Sequence, residues 1–184
     1  MTPGHASFAT SLRRAAVAIC ALVFATAAAA ERASVLNQPA PDCALAMLGE
    51  PRATSLNALR GQVVYLDFWA SWCGPCAASF PFMNALERDL RGRGLRVVGA
   101  NMDARPADAT RFLVRRPAQF AVAVGDNAPC ARALGVAGLP YTFLIDRNGV
   151  VRRVHSGFRR GDAPSLRADV ERLLAEPVSG GQTR

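Results

Sequence analysis

Val63-Val64-Tyr65-Leu66-Asp67-Phe68-Trp69-Ala70-Ser71-Trp72-Cys73-Gly74-Pro75-Cys76 is the stretch on which the fold turns. Val63 to Trp69 is a near-continuous apolar run broken only by Asp67, the pattern of a strand covered on both faces. Directly after the Cys-x-x-Cys pair, Ala77 to Leu90 places Phe82, Leu86 and Leu90 at helical spacing. Pro81 falls inside that helix and is expected to kink it. A buried strand, two thiols and a helix in immediate succession point to a layered α/β domain.

Two cysteines separated by two residues at a helix start can close a small disulfide ring. The first lies at the positive end of the helix dipole, among unpaired N–H groups that favour thiolate over thiol. Thiolate is the attacking species, so Cys73 is the expected nucleophile and Cys76, one turn inside, the resolving thiol. Gly74 and Pro75 set the turn, and Pro75 removes an N–H that could otherwise reach a sulfur. Cys-x-x-Cys is also half of many zinc sites, but zinc needs two further ligands at suitable spacing. Cys43, Cys130 and His155 are the remaining candidates past the first thirty residues, all distant and unclustered, so no metal site is expected. A purely structural bridge is disfavoured as well, because so small a ring constrains little of the unfolded chain.

Working outward, residues 31–41 carry Asn37, Pro39 and Pro41 and read as an irregular, extended lead-in. Cys43 to Leu48 and Arg52 to Ser55 read as a short hairpin, and Leu56 to Arg60 as a helical turn closed by Gly61. On the other side, strands are expected over Leu95–Asn101 and Phe120–Val124, with helices over Ala107–Arg115 and Asn127–Leu134. Tyr141–Ile145 and Val150–Val154 form an expected hairpin across Asp146-Arg147-Asn148-Gly149, where Asn-Gly favours a tight turn. Pro164–Ala175 carries Leu166, Val170, Leu173 and Leu174 on one face of a last helix, and the tail after Pro177 is polar and expected to fray. Parallel-type alternation followed by a hairpin gives a mixed sheet flanked by helices.

The chain has 184 residues, 51% hydrophobic and 20% charged, enough for one well-packed domain. Its 22 basic residues are all arginine, and the formal charge is +8. The arginines are scattered singly or in pairs with no basic, aromatic-rich tract, which argues against a nucleic-acid partner. Residues 1–30 read as an export signal: Arg13 and Arg14, then an alanine-rich apolar run to Ala28-Ala29-Ala30 before Glu31. The run is short and weakly apolar for a membrane span, so cleavage is favoured over an uncleaved N-terminal anchor. Ile19 before Cys20 does not suit a lipoprotein signal. Cleavage lowers the formal charge from +8 to +6 and leaves four cysteines of five, in residues 31–184. An even cysteine count outside the cytoplasm permits complete pairing.

Phe68-Trp69-Ala70-Ser71-Trp72-Cys73-Gly74-Pro75-Cys76 resembles the active-site stretch of thioredoxin-fold proteins. The insert from about Ala104 to Val124, the Pro39-Ala40-Pro41-Asp42 lead-in and the export signal resemble the TlpA/ResA branch, over residues 38–176. The resemblance implies a thioredoxin fold with an N-terminal β-hairpin extension and a central strand/helix insertion. It further implies that Asp67, six residues before Cys73, is the buried acid that relays protons to and from the second cysteine. Burial would raise its pKa toward neutrality; the alternative is an edge-strand aspartate facing solvent. Pro81 matches the kinking proline of the family's helix.

Gly138-Leu139-Pro140-Tyr141 resembles the family's cis-proline loop beside the dithiol, the alternative being an ordinary trans turn. There Leu139 would pair with a bound substrate chain, Pro140 would keep a free N–H from the sulfur, and Trp72 would shield the site and present an apolar surface. Gly157 resembles the small residue bordering the same groove. Cys43 and Cys130 depart from the family pattern; either they form a structural disulfide, worth about 4–5 kcal/mol in the chain-entropy model, or they are separate thiols in apolar sites.

The implied activity is thiol-disulfide exchange without a bound cofactor, reducing disulfides of exported proteins in cytochrome c maturation or metal-site assembly. A membrane electron donor of the thiol-reductase type would recharge it. Alternatives are an oxidase that donates its disulfide, a peroxidase lacking any activated pocket around Cys43 or Cys130, and a copper-binding chaperone drawing on soft thiolates.

Overall fold

The computed structural model describes residues 35–50 and 52–177; the expected export signal over residues 1–30 and the expected fraying after Pro177 concern residues outside them. In chain order the elements are β1 (Ala44–Leu45), β2 (Thr54–Ser55), β3 (Val63–Trp69), α1 (Gly74–Leu90), β4 (Leu95–Asn101) and α2 (Pro106–Arg115). They continue with β5 (Ala121–Ala123), α3 (Ala128–Leu134), β6 (Tyr141–Ile145), β7 (Val151–Ser156) and α4 (Ala163–Ala175). Short 3-10 turns cover Leu56–Leu59, Arg91–Arg93 and Arg160–Asp162.

The five-stranded sheet runs β5-β4-β3-β6-β7. β3 lies at its centre, parallel to β4 and antiparallel to β6, and every residue in it is buried. Alternation along β3 divides its side chains between two cores. Val63, Tyr65 and Trp69 pack under α1, α2 and α4 with Phe80, Phe112 and Val170. Val64, Leu66 and Phe68 pack on the other face with Leu45, Leu134 and Phe143. That explains the almost unbroken apolar run, since each large side chain fully buried contributes about 1.5–3 kcal/mol.

The N-terminal segment does more than form a hairpin. Its two strands pair over only two residues each, Ala44 with Ser55 and Leu45 with Thr54. Past Leu45 the chain leaves its partner and bonds edge strand β5, with Val124 N–H to Ala46 O at 2.9 Å and Leu48 N–H to Val122 O at 2.7 Å. Upstream, Asn37 N–H reaches Val151 O at 2.7 Å and Ala40 N–H reaches Gly149 O at 2.8 Å, which pairs the extension with the turn before edge strand β7 and with its first residue. One extension therefore satisfies backbone groups at both sheet edges.

α1 starts at Gly74, as expected of a dithiol at a helix start with Cys76 one turn inside: Cys73 caps it and Pro75 sits in the first turn, where no N–H is needed. One local feature differs from the sequence pattern. At residues 146–149 Gly149 alone takes positive φ, 80°. Asp146 Oδ1 accepts from Asn148 N–H and Val150 N–H, so the turn is organised by the aspartate rather than by an Asn-Gly pair in left-handed conformation. A register shift between Leu144 and Ile145 absorbs the extra residue opposite them.

Candidate active site

Cys73 is the N-cap of α1, in extended conformation, and its Sγ accepts the Cys76 N–H at 3.2 Å. The two sulfurs are bonded at 2.02 Å. Cys76 is fully buried, whereas Cys73 retains 5% exposure. Only Cys73 thus has any opening to an incoming disulfide, and it is also the sulfur at the helix N-terminus, where dipole and N–H groups stabilise negative charge. Next to it Trp72 is 73% exposed, an indole offered to solvent rather than folded into the core. Gly74 and Pro75 are exposed on the first turn.

Asp67 lies inside the sheet, not at an edge, and is 1% exposed. Alternation on β3 puts it on the side of Tyr65 and Trp69, the side α1 covers. The register sets Thr142 of β6 opposite it, and Thr142 Oγ1 donates to Asp67 Oδ1 at 2.6 Å. Oδ2 is buried with no hydrogen-bond partner. Burial pushes the carboxyl up to about 7, with the Thr142 hydroxyl pulling the other way. Tyr65, on the same face, is raised by burial and by the negative charge of Asp67.

On the other flank of Asp67 stands Gly99 of β4. A Cβ there would lie 2.8 Å from the Phe120 ring and 3.1 Å from Trp69 Nε1. The glycine makes room for an aromatic cluster in which Trp69 and Phe80 centroids are 4.9 Å apart and Phe80 and Phe112 5.1 Å. That cluster fixes the base of α1 against the inserted helix α2, which in turn holds the dithiol above the sheet.

The loop leading into the dithiol is anchored by residues that sequence reasoning missed. Asp103, just past β4, accepts Ser71 N–H at 3.0 Å and Ser71 Oγ at 3.0 Å. Asn101 Nδ2 donates at 2.8 Å to Asp103 Oδ2, the oxygen that also accepts Ser71 N–H, and Asn127 Nδ2 donates to Asn101 O at 2.9 Å. Asn-Met-Asp at a strand end was the available signal, since such side chains cap neighbouring backbone.

The Leu139–Pro140 peptide bond is cis. Gly157, at φ 78°, donates its N–H to Pro140 O at 2.8 Å, so the residue after β7 braces the proline loop in a conformation that favours glycine. Leu139 is partly buried and touches both cores.

Cys43 and Cys130 are also joined, at 2.01 Å, 87 positions apart. Their bridge ties the hairpin to α3 within the second core, on the sheet face away from Cys73. His155 pairs with Asp162 at 3.3 Å on β7. Among the described residues no three His, Cys, Asp or Glu side chains converge as metal ligands, and no helix is long and apolar enough to cross a membrane.

The profile of the Redoxin family matches residues 36–171. The thiol-disulfide oxidoreductase ResA of Geobacillus thermodenitrificans is 34% identical over 125 residues, covering 68% of this chain and 71% of its own. A Chlorobium tepidum protein assigned as thiol:disulfide interchange protein DsbE has a crystal structure that superposes with a TM-score of 0.72. It shares 44% identity and covers 76% of this chain and 98% of its own. The thioredoxin domain of a Bacteroides vulgatus thiol-disulfide oxidoreductase, 22% identical, covers 76% of this chain and 97% of its own; its TM-score of 0.65 speaks to the fold alone. With a family match over most of its length and relatives alike well beyond the cysteines, the chain belongs to the Redoxin family as a ResA-like thiol-disulfide oxidoreductase of the thioredoxin fold.

Proposed function

We propose that the protein is an exported reductant that opens disulfides in other exported proteins, of the kind met in cytochrome c maturation or metal-site assembly. Export rests on the leader-like residues 1–30. The observation that carries the reading is the thioredoxin-like pairing of Gly74-Pro75 between the cysteines with Asp67, a carboxyl buried in the sheet on the side that the dithiol helix covers.

In the dithiol state Cys73 thiolate attacks one sulfur of the substrate disulfide and expels the other as thiolate. Cys76 then gives its proton to Asp67 and attacks Cys73 Sγ, releasing the second substrate thiolate. Two electrons pass to the substrate, and the protein is left with the Cys73–Cys76 bond found in the structure. Asp67 is suited to the proton step because a carboxyl near neutrality both accepts and returns a proton at working pH. Leu139 supplies backbone for the substrate chain, Pro140 withholds an N–H from the sulfur, and Trp72, Gly74 and Pro75 form the exposed rim. A membrane thiol reductase restores the dithiol.

The test is equilibration of the Cys73/Cys76 pair against glutathione buffers, together with reduction of insulin disulfides. A reductant should come to equilibrium well below the oxidising extreme, about −120 mV, and nearer to about −270 mV. A value at the oxidising extreme would make the protein a disulfide donor instead. Trapping with Cys76→Ser, in which mixed disulfides on Cys73 cannot resolve, then identifies the substrates.

A further inference from the structure

We infer that the face of α1 running on from Cys76 is a docking groove for the acidic flank of a protein substrate. The inference rests on the thiol-exchange reading and names the chemistry its substrates must carry. Ala77, Ala78, Pro81 and Phe82 line one side of a groove of about 510 Å³, and Phe158 and Ala163 line the other. It begins one residue past the resolving cysteine, on the helix that carries both sulfurs. Its floor is apolar and firm: Phe82 stacks on Phe158 with centroids 5.8 Å apart.

The rim is basic. Arg116, at the end of α2, and Arg160, after β7, both border the groove. Both are exposed, and among the described residues neither has an acidic partner within ion-pair distance. Among the described residues Arg52, Arg93, Arg115 and Arg132 likewise meet no carboxylate within ion-pair distance; what sets Arg116 and Arg160 apart is that both border one apolar groove. Arg88, Arg91, Arg105, Arg111, Arg152, Arg153, Arg167 and Arg172 all meet carboxylates. Arg116 lies over the Phe112 ring at 5.9 Å, which orients its guanidinium while leaving its donors free. Two unpaired guanidinium groups over an apolar floor suit a carboxylate beside an apolar side chain, since the planar fork binds carboxylate in two-point fashion. The occupant is a polypeptide because the groove runs along the helix that carries the dithiol, starting at Ala77 beside Cys76, and that dithiol acts on protein disulfides. The segment it fits carries Asp or Glu next to an apolar residue, a few positions from the reacting cysteine.

The probe is a pair of synthetic disulfide-looped peptides, identical except for Glu-Phe or Lys-Phe beside one cysteine. Each is reduced by the dithiol form of the chain, two electrons and two protons passing to the peptide. The acidic peptide should react about tenfold faster at low salt. Arg116→Ala/Arg160→Ala should abolish the difference, and Arg88→Ala/Arg91→Ala, which removes the same charge elsewhere, should keep it. Reduction of uncharged 2-hydroxyethyl disulfide should be alike in all three proteins. Equal peptide rates, discrimination that survives in the groove variant, or equal loss in both variants would overturn the groove. Groove-dependent sedimentation with phosphatidylglycerol vesicles, without peptide discrimination, would assign the arginines to a membrane surface instead. A wild-type chain that leaves 2-hydroxyethyl disulfide intact would sink the exchange reading itself, and this inference with it.

Discussion

Thr142 Oγ1 donates a 2.6 Å hydrogen bond to Asp67 Oδ1 across the centre of the sheet, while Oδ2 of the same carboxyl has no partner. A carboxylate in that setting is only half solvated by protein, and its neutral form is favoured.

The sign of the pH effect on stability follows. The folded carboxyl titrates at about 7, above its ordinary 3.8, so the native state holds the proton more tightly than the unfolded chain. Stability should therefore fall as pH rises from about 4 to about 7 and level off above. The full effect of this one group is on the order of 4 kcal/mol, an upper figure. Asp67→Asn keeps an acceptor for Thr142 and should lose the pH-dependent fall, leaving it more stable than wild type at pH 8 in urea titrations. Parallel stability curves for the two proteins from pH 4 to 8 would contradict this.

The same substitution should slow exchange. With no group to take the Cys76 proton, release of substrate from the mixed disulfide should drop on the order of a hundredfold. The inflection near neutral pH in the wild-type rate profile should vanish. Single-turnover kinetics separate the steps: attack by Cys73 should be little changed and resolution by Cys76 slowed.

Cys43 and Cys130 close a loop with a separation of 87 residues, for which the chain-entropy model gives about 4–5 kcal/mol. Cys43→Ala/Cys130→Ala should lower denaturation stability by a good part of that amount. Insulin reduction should persist at temperatures where the variant stays folded, because the bridge lies on the sheet face away from Cys73.

Asp103 holds the loop before the dithiol through Ser71 N–H and Oγ. Asp103→Ala leaves buried donors on Ser71 and Asn101 without their acceptor and should cost about 1–3 kcal/mol. It should also reduce exchange at pH values where Asp67→Asn has little effect, which distinguishes loop positioning from proton transfer.

Trp72 carries no core contact to lose at 73% exposure. Trp72→Ala should change stability by no more than about 0.5 kcal/mol. Protein disulfides should be reduced several times more slowly, while 2-hydroxyethyl disulfide is reduced at the wild-type rate. Equal slowing on both substrates would remove the indole from substrate contact.

Much of this protein is written in local sequence. β3, β4 and β6 occupy the spans their apolar runs imply, because a strand buried on both faces leaves an unbroken signal. Cys73, Cys76 and their helix are legible for a similar reason: strand, dithiol and helix are contiguous, so spacing alone sets them together. Other relationships depend on residues far apart in the chain. That Asp67 faces α1 and meets Thr142 is decided by strand register. That Asp103 braces Ser71 depends on β3 and β4 ending side by side. Arg116 and Arg160 share a rim only because an inserted helix and the end of β7 flank the same stretch of α1. Local pattern determined the sulfur chemistry and the secondary structure; only tertiary packing decided the burial that moves the Asp67 proton and the surface presented to a substrate, since both are properties of what surrounds a residue in space.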